Sequence, residues 1–432
     1  MPAAVILLAA GLRLWGLSSP AQLYCDEQYY VFDAEAYIGG GIGTPAGHPP
    51  AVRIADEGTW VHPPLGKWII ALLGVGPLGL RAIGWRLPSA VFGVAGVTLL
   101  YFLALELWGS IWWAGLAGLL LALDGLHIVQ SRIAMLDIFL TTFVTAGMLL
   151  LVLDHKRTGS TAPARGGLSA RLERVFGSPY RLGAGLAFGA AVATKWTGIF
   201  ALVFAAGLCT AWLMRGPRGA RRSRWKSLQT VAASFLLAPL LVYLVSYGAF
   251  FYQHGPAIHA FATLQERMLQ YHLGHTKIQP ENSLPLTWPP LVHPIQYFRA
   301  SSASVTREIL ALGNPALWWT FLALLPVALF TVVRRPTWQD AVAFGGYAAM
   351  YLPWLAIRRS QFIFYMLPAV PFMCLAVVAS LRRLPGGAAR IIAPAIAVVA
   401  LAAAVAFAPV WLGLPASASW LERLRMLPTW RL

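Results

Sequence analysis

Apolar runs of roughly 20 residues recur along this chain almost from end to end, separated by short basic loops. No other feature constrains the fold as much. Such runs match a hydrocarbon layer about 30 Å thick, and backbone inside that layer must satisfy its own hydrogen bonds. Of 432 residues, 58% are hydrophobic and 11% charged, and the mean hydropathy is +0.65. A soluble domain carries about a quarter charged residues. The expectation is therefore an all-α polytopic membrane protein. The formal charge of +17 would suit a nucleic-acid binder, but the Lys and Arg residues sit in loops between apolar runs, where topology signals belong. Nucleic acid is thus excluded as a partner. Cys25, Cys209 and Cys374 are scattered, two of them inside apolar runs, so neither a disulfide framework nor a metal cluster is indicated.

Crossings are expected near residues 3–17, 86–107, 112–128, 133–153, 228–250, 315–333, 341–357, 362–381 and 391–412, with a two-span hairpin over 182–213 bent at Lys195 and Trp196. That makes about eleven. The piece 68–80 is short and interrupted by Gly and Pro, and reads as re-entrant or interfacial. Charge bias orients the set. Loop 154–181 carries six Lys/Arg against two acids, and 215–227 carries six against none. With 334–340 and 382–390 they belong in the cytoplasm, which places the N-terminus inside. The C-terminus, loop 20–84 and the excursion 251–314 then lie outside, and 1–432 reads as one membrane domain. The first run has no basic n-region, so it is not a cleaved signal peptide. Its start at Met1 without a polar tail sets the expectation that the true start lies upstream.

Six of the sixteen acidic residues fall between 24 and 67: Asp26, Glu27, Asp33, Glu35, Asp56 and Glu57. Asp26-Glu27 follows the first run directly and precedes Tyr29, Tyr30, Phe32 and Tyr37. A carboxylate among such partly desolvated aromatics gains proton affinity and can act as a general base. A solvated loop is the alternative. Pro63-Pro64 forbids helix at His62 and stiffens the turn into Lys67, whose ammonium suits either a lipid phosphate or the headgroup layer. Arg13, Arg86, Arg132, Lys195 and Arg359 lie near outer ends of spans, where an unpartnered cation is costly, roughly 2.5–3.5 kcal/mol at a helix centre. Asp124 and Asp137 flank Arg132 and are expected to neutralise it. Arg86, Lys195 and Arg359 have no acidic neighbour in sequence, so a bound phosphate or bulk headgroups would serve. The pair Arg358-Arg359, on the outer side, calls for an anionic partner. Of the outer-loop histidines His254, His259, His272, His275 and His293, only His272 and His275 are spaced i, i+3, and these read as surface or interface residues, not metal ligands. The eighteen tryptophans read as interfacial anchors.

The Asp-Glu after the first span, HPPLGK at 62–67 and WRLPSA at 85–90 resemble the protein O-mannosyltransferases, of the type-C superfamily of membrane glycosyltransferases. The likeness continues through ALDGLHIVQSRIAMLDIF (122–139), AVATKWTGIF (191–200), ILALGNPALWW (309–319), GYAAMYLPW (346–354) and FIFYMLPAVPF (362–372). It covers nearly the whole chain, in order. What it implies is a type-C fold and transfer of mannose from polyprenyl-phosphate-mannose to Ser or Thr hydroxyls of exported, unfolded or translocating polypeptides, with inversion. Coupling to the secretion machinery is a further expectation. The active site would face outward at the plasma membrane, and no cofactor beyond the lipid donor is committed. A divalent ion would be in keeping with many type-C enzymes, although no ligand set stands out. By this resemblance Asp26 is the base, and Glu27 orients the acceptor or braces the loop. Arg13 and Arg86 match the family's arginines. With Lys195, Arg359 and Lys67 they are the candidates for the donor phosphate. The excursion 251–314 is too short for the β-trefoil MIR domain of eukaryotic members, which suggests a bacterial one, and the Ala-, Gly- and Arg-rich usage suits a GC-rich genome such as an actinobacterium's. A sister enzyme acting on a glycolipid or polysaccharide is one alternative. A transporter is another, but it would want charge at mid-membrane and broken helices in paired positions, with an inverted repeat that is not evident here.

Overall fold

The computed structural model describes residues 1–39, 60–157, 167–215, 221–274, 281–302, 305–385 and 387–430; Asp56, Glu57 and His275 lie outside them. Among the described residues six helices are long and apolar enough to cross a membrane: Ala82–Trp108, Asp137–Arg157, Trp225–Ser246, Pro315–Arg334, Ile363–Leu381 and Ala388–Leu412. Shorter apolar helices are Pro2–Leu14, Leu65–Leu78, Ile111–Ala122 and Gly198–Met214. All ten fall on the apolar runs of the sequence.

Ile363–Leu381 is the centre of the bundle, with 94% of its apolar window buried. Pro315–Arg334 and Ala388–Leu412 are its flanks, at 22% each. What they show outward is apolar: Val327, Phe330, Val333, Ile391, Val398 and Val405 are all exposed. Contiguous apolar surface of this kind is stable against lipid tails, not water. The chain is a multi-pass membrane protein.

Helix ends follow local chemistry. Ser178 caps Pro179–Thr194 by accepting from the Arg181 amide, with Pro179 in the first turn. That helix stops at Lys195, which is extended (φ −156°, ψ 132°), and Gly198–Met214 begins three residues later. The bend expected at Lys195-Trp196 is present. Pro179–Thr194 packs on Trp225–Ser246 through Gly185 and Gly189, where an added Cβ would come within 1.8 Å of the Ser234 carbonyl oxygen and 2.6 Å of the Pro239 Cα. Small residues four apart let two backbones meet where no apolar driving force exists between them.

Two departures matter. The expected spans 112–128 and 133–153 are interrupted: helix ends at Ala122, resumes at Gly125–Gln130, and restarts only at Asp137. Asp124 causes the first break, accepting from the amides of His127 (2.9 Å) and Asn314 (3.0 Å) and from the Trp318 indole (2.7 Å). A side chain that caps one helix cannot sit inside another. The fold is also not purely α. Strands β1 (Ile295–Ser301) and β2 (Thr306–Ala311) form an antiparallel hairpin within the segment 251–314, with a bulge between Gln296 and Phe298.

Candidate active site

The helix Glu27–Tyr37 places the acidic pair. Cys25, just before it, is in the left-handed region (φ +53°), a conformation that costs a non-glycine residue roughly 1–3 kcal/mol and persists only where packing enforces it. It turns the chain so that Asp26 and Glu27 diverge. Asp26 occupies the N-cap position without capping, and its side chain faces a cavity of about 750 Å³. Glu27 points the other way, fully buried.

The HPPLGK turn builds the adjoining wall. Pro64 is the N-cap of Leu65–Ile70. At Gly66 a Cβ would stand 2.7 Å from the Leu136 side chain and 3.0 Å from that of Thr194, so glycine lets this turn press against the break at Lys195. Lys67 pairs with Asp33 at 2.9 Å. The Lys195 ammonium bonds both Asp137 oxygens, at 2.9 and 3.0 Å, and lies over the Tyr365 ring, 4.8 Å from its centroid. Arg359 donates to His272 Nδ1 at 2.6 Å. No carboxylate among the described residues is in ion-pair range of it. His272 is thereby held as the neutral tautomer, its Nε2–H donating to the Val61 carbonyl (2.9 Å) while its ring stacks on His62 at 5.2 Å. Lys67, Lys195, Arg359 and His62 line the same cavity as Asp26.

Electrostatics separate the groups. Burial is the main cause that pushes the Asp26 carboxyl up to about 6; the Lys195 ammonium opposes it and the Asp137 carboxylate reinforces it. Burial, with Lys195 and His272 nearby, holds His62 well below the usual histidine range, so that ring stays neutral. Among the described residues no group of three or more His, Cys, Asp or Glu is arranged to hold a metal ion.

The structure places several of the expected residues away from the cavity. Glu27 does not line the cavity: its oxygens accept from Arg86 Nε (2.7 Å) and Nη2 (2.8 Å) and from the Ala134 amide (3.1 Å), contacts that join it to the helix Ala82–Trp108 and to the break before Asp137. Arg86 and Arg13 are not at the cavity either. Arg86 spends its remaining donors on the carbonyls of Leu17, Pro20 and Gln22. Arg13 bonds the carbonyls of Ala9, Leu121 and Ala122 and meets His127 Nδ1 at 2.9 Å. All three guanidinium nitrogens of Arg86 thus have acceptors inside the protein, and those of Arg13 do save Nε. Finally, Arg132 is neutralised neither by Asp124 nor by Asp137. It closes the end of the first helix by donating to the carbonyls of Leu12, Arg13, Trp15 and Gly16.

The sequence reading assigned no role to Tyr297, Gln296, Glu281, Tyr271 or Tyr365, all of which line the cavity. Tyr297 arrives there through the β1 bulge, which re-aims a side chain, and its hydroxyl accepts from Gln130 at 2.6 Å. The alternation in IQYFRAS at 295–301 was the available signal. Tyr365 stood in the FIFY stretch.

Fold and site together define a multi-pass membrane enzyme in which the Asp26 carboxylate and several cations face a single cavity. Comparisons with known proteins narrow the class. Residues 3–258 match the family model described as dolichyl-phosphate-mannose-protein mannosyltransferase, and 257–430 match the C-terminal four TMM region of protein-O-mannosyltransferase. A Mycobacterium tuberculosis protein named polyprenol-phosphate-mannose–protein mannosyltransferase is 30% identical, covering 97% of this chain and 89% of its own. The Corynebacterium glutamicum protein of the same name is 28% identical over 99% of this chain and 93% of its own. Among solved structures, the Saccharomyces cerevisiae Pmt1–Pmt2 complex bound to the sugar donor superposes with a TM-score of 0.82 at 15% identity, covering 99% of this chain and 92% of that one. ArnT of Cupriavidus metallidurans bound to undecaprenyl phosphate gives 0.62 at 15% identity, over 95% and 76%. The chain belongs to the protein O-mannosyltransferase family and is a glycosyltransferase.

Proposed function

We propose that this chain transfers mannose from polyprenyl-phosphate-mannose to Ser or Thr hydroxyls of exported polypeptides, inverting the anomeric carbon, at the outer face of the plasma membrane. The observation that carries the reading is that Asp26 shares one cavity with Lys67, Lys195 and Arg359. The hydroxyl oxygen attacks C1 while its proton passes to the Asp26 carboxylate. The C1–O bond to the lipid phosphate breaks, and the electron pair leaves with the phosphate. That oxygen needs no proton, because cations hold the charge. One carboxylate therefore suffices where glycoside hydrolysis uses two. Arg359, with no carboxylate partner among the described residues, offers its full charge, while Lys195 and Lys67 share theirs with Asp137 and Asp33. The family match and the basic loops support about eleven crossings with the N-terminus inside, the C-terminus outside and one membrane domain over 1–432.

The test uses the chain in membranes with mannosyl-phosphoryl-polyprenol labelled in the sugar and a Thr/Pro-rich peptide. Label in protease-sensitive material supports the assignment. Label confined to organic-extractable glycolipid would transfer it to a sister enzyme with a lipid acceptor, and label in neither, from a folded preparation, would sink it.

A further inference from the structure

Two long helices end together at the end of the bundle away from the catalytic cavity. Ala82–Trp108, of 27 residues and so about 40 Å long, starts near Arg86 and finishes at Trp108. The central helix starts at cavity residues Phe364 and Tyr365 and finishes just before Arg382. Where both end there is a second recess, of about 210 Å³, lined by Trp108, Gln339, Asp340, Arg382 and Arg383 among others.

Its two arginines are not alike. Arg383 pairs with Asp340, a buried carboxylate that also accepts from the Thr337 amide (2.8 Å) and hydroxyl (2.6 Å). That charge is matched inside the protein. Arg382 has no carboxylate in range among the described residues. Its guanidinium lies over two tryptophans, 5.5 Å from the Trp108 ring and 5.8 Å from the Trp113 ring. This cation–π contact satisfies none of its N–H groups, and a guanidinium fork matches the oxygens of a phosphate.

The surroundings say which phosphate. Ile111 and Trp112 are exposed beside the recess, at 58% and 47%, and Val333 at 81%. Tryptophans and apolar side chains around a cation mark the headgroup level of a bilayer. Arg334 and Arg335 add positive charge nearby, and basic recesses between helix ends attract anionic headgroups. We propose that this recess binds the phosphate of an anionic phospholipid from the surrounding leaflet, through Arg382. It shares no residue with the catalytic cavity and stands or falls apart from the mannosyl-transfer reading.

Native mass spectrometry of the detergent-purified chain, titrated with phosphatidylglycerol or phosphatidylcholine, tests it alongside melting curves. Phosphatidylglycerol should be retained in preference and raise Tm. Arg382→Gln should lower that retention about tenfold, the usual worth of one charge-assisted hydrogen bond, without changing Tm in phosphatidylcholine, and Arg382→Lys should fall between. Equal retention of the two lipids by the parent protein overturns the proposal, whether or not the variants fold. So does unchanged retention in Arg382→Gln, and so does an equal Tm rise from inorganic phosphate alone, which would make this a phosphate site and not a lipid site.

Discussion

Asp26 and Glu27 are adjacent in sequence and opposite in physics. Asp26 is a carboxylate whose proton affinity burial raises, a poor arrangement for stability and a good one for a base. Asp26→Asn should therefore lose mannosyl transfer by 10²–10⁴-fold, while its melting temperature is no lower than the parent's, because a desolvated charge has been removed. The carboxyl must be ionised to accept a proton and titrates near 6. kcat/KM should thus plateau above about pH 7 and fall roughly tenfold per unit below pH 6; a rate unchanged down to pH 5 would remove Asp26 from the base role. Glu27→Gln should do the reverse in stability. It leaves the Arg86 guanidinium buried without its counter-charge, at a cost of about 3–5 kcal/mol, read as a drop in Tm at every pH where the protein folds. The sequence pointed to the pair through its aromatic neighbours and its place after the first span. It could not divide the labour, because the residue that claims Glu27 lies at position 86 and the residues that perturb Asp26 lie at 137 and 195.

At the scale of elements, breaks matter more than helices. The stop at Thr194 carries Lys195 to the cavity mouth, and the same stop is where Gly66 allows the HPPLGK turn to close in. That bend was legible because a lysine inside an apolar run is costly and its neighbours favour a turn. The break at Asp124 was not, since nothing local shows that Asn314 and Trp318 will donate to it. The long apolar helices were read correctly for the reason that hydrocarbon thickness sets their length. The hairpin was missed because a polar segment between spans has no such ruler. Among the cations, Lys195 and Arg359 should answer differently to truncation. Arg359→Ala removes charge-assisted contacts to a phosphate and leaves no buried carboxylate behind, so donor use should weaken about 10- to 100-fold with Tm unchanged. Lys195→Ala also strands Asp137, buried at 2% exposure, and should lower both donor use and Tm. Equal Tm for the two variants, or an Arg359→Ala effect confined to the KM for peptide, would contradict this division.

Over the whole molecule, charge and polarity are segregated along the bundle. The catalytic cavity, the β hairpin and the acidic helix gather at one end, and at the other lie the Arg382-Arg383 turn and the basic helix ends. Between them the surface is apolar, so a bilayer fixes which residues water can reach. If the basic loops are cytoplasmic, Arg174 and Ser302, both exposed, lie on opposite sides. The chain's own thiols need little correction, for Cys209 and Cys374 are buried and only Cys25 is partly accessible. In a Cys25→Ser background, Ser302→Cys should react with a membrane-impermeant maleimide added to intact cells, and Arg174→Cys only after the membrane is opened. The charge argument requires both results together, since an even error in the number of crossings between the two positions leaves them opposed and an odd error puts them on one side. Labelling of both in intact cells would mean that the basic loops do not set the orientation, and labelling of Arg174→Cys alone would put Asp26 in the other compartment from the one proposed.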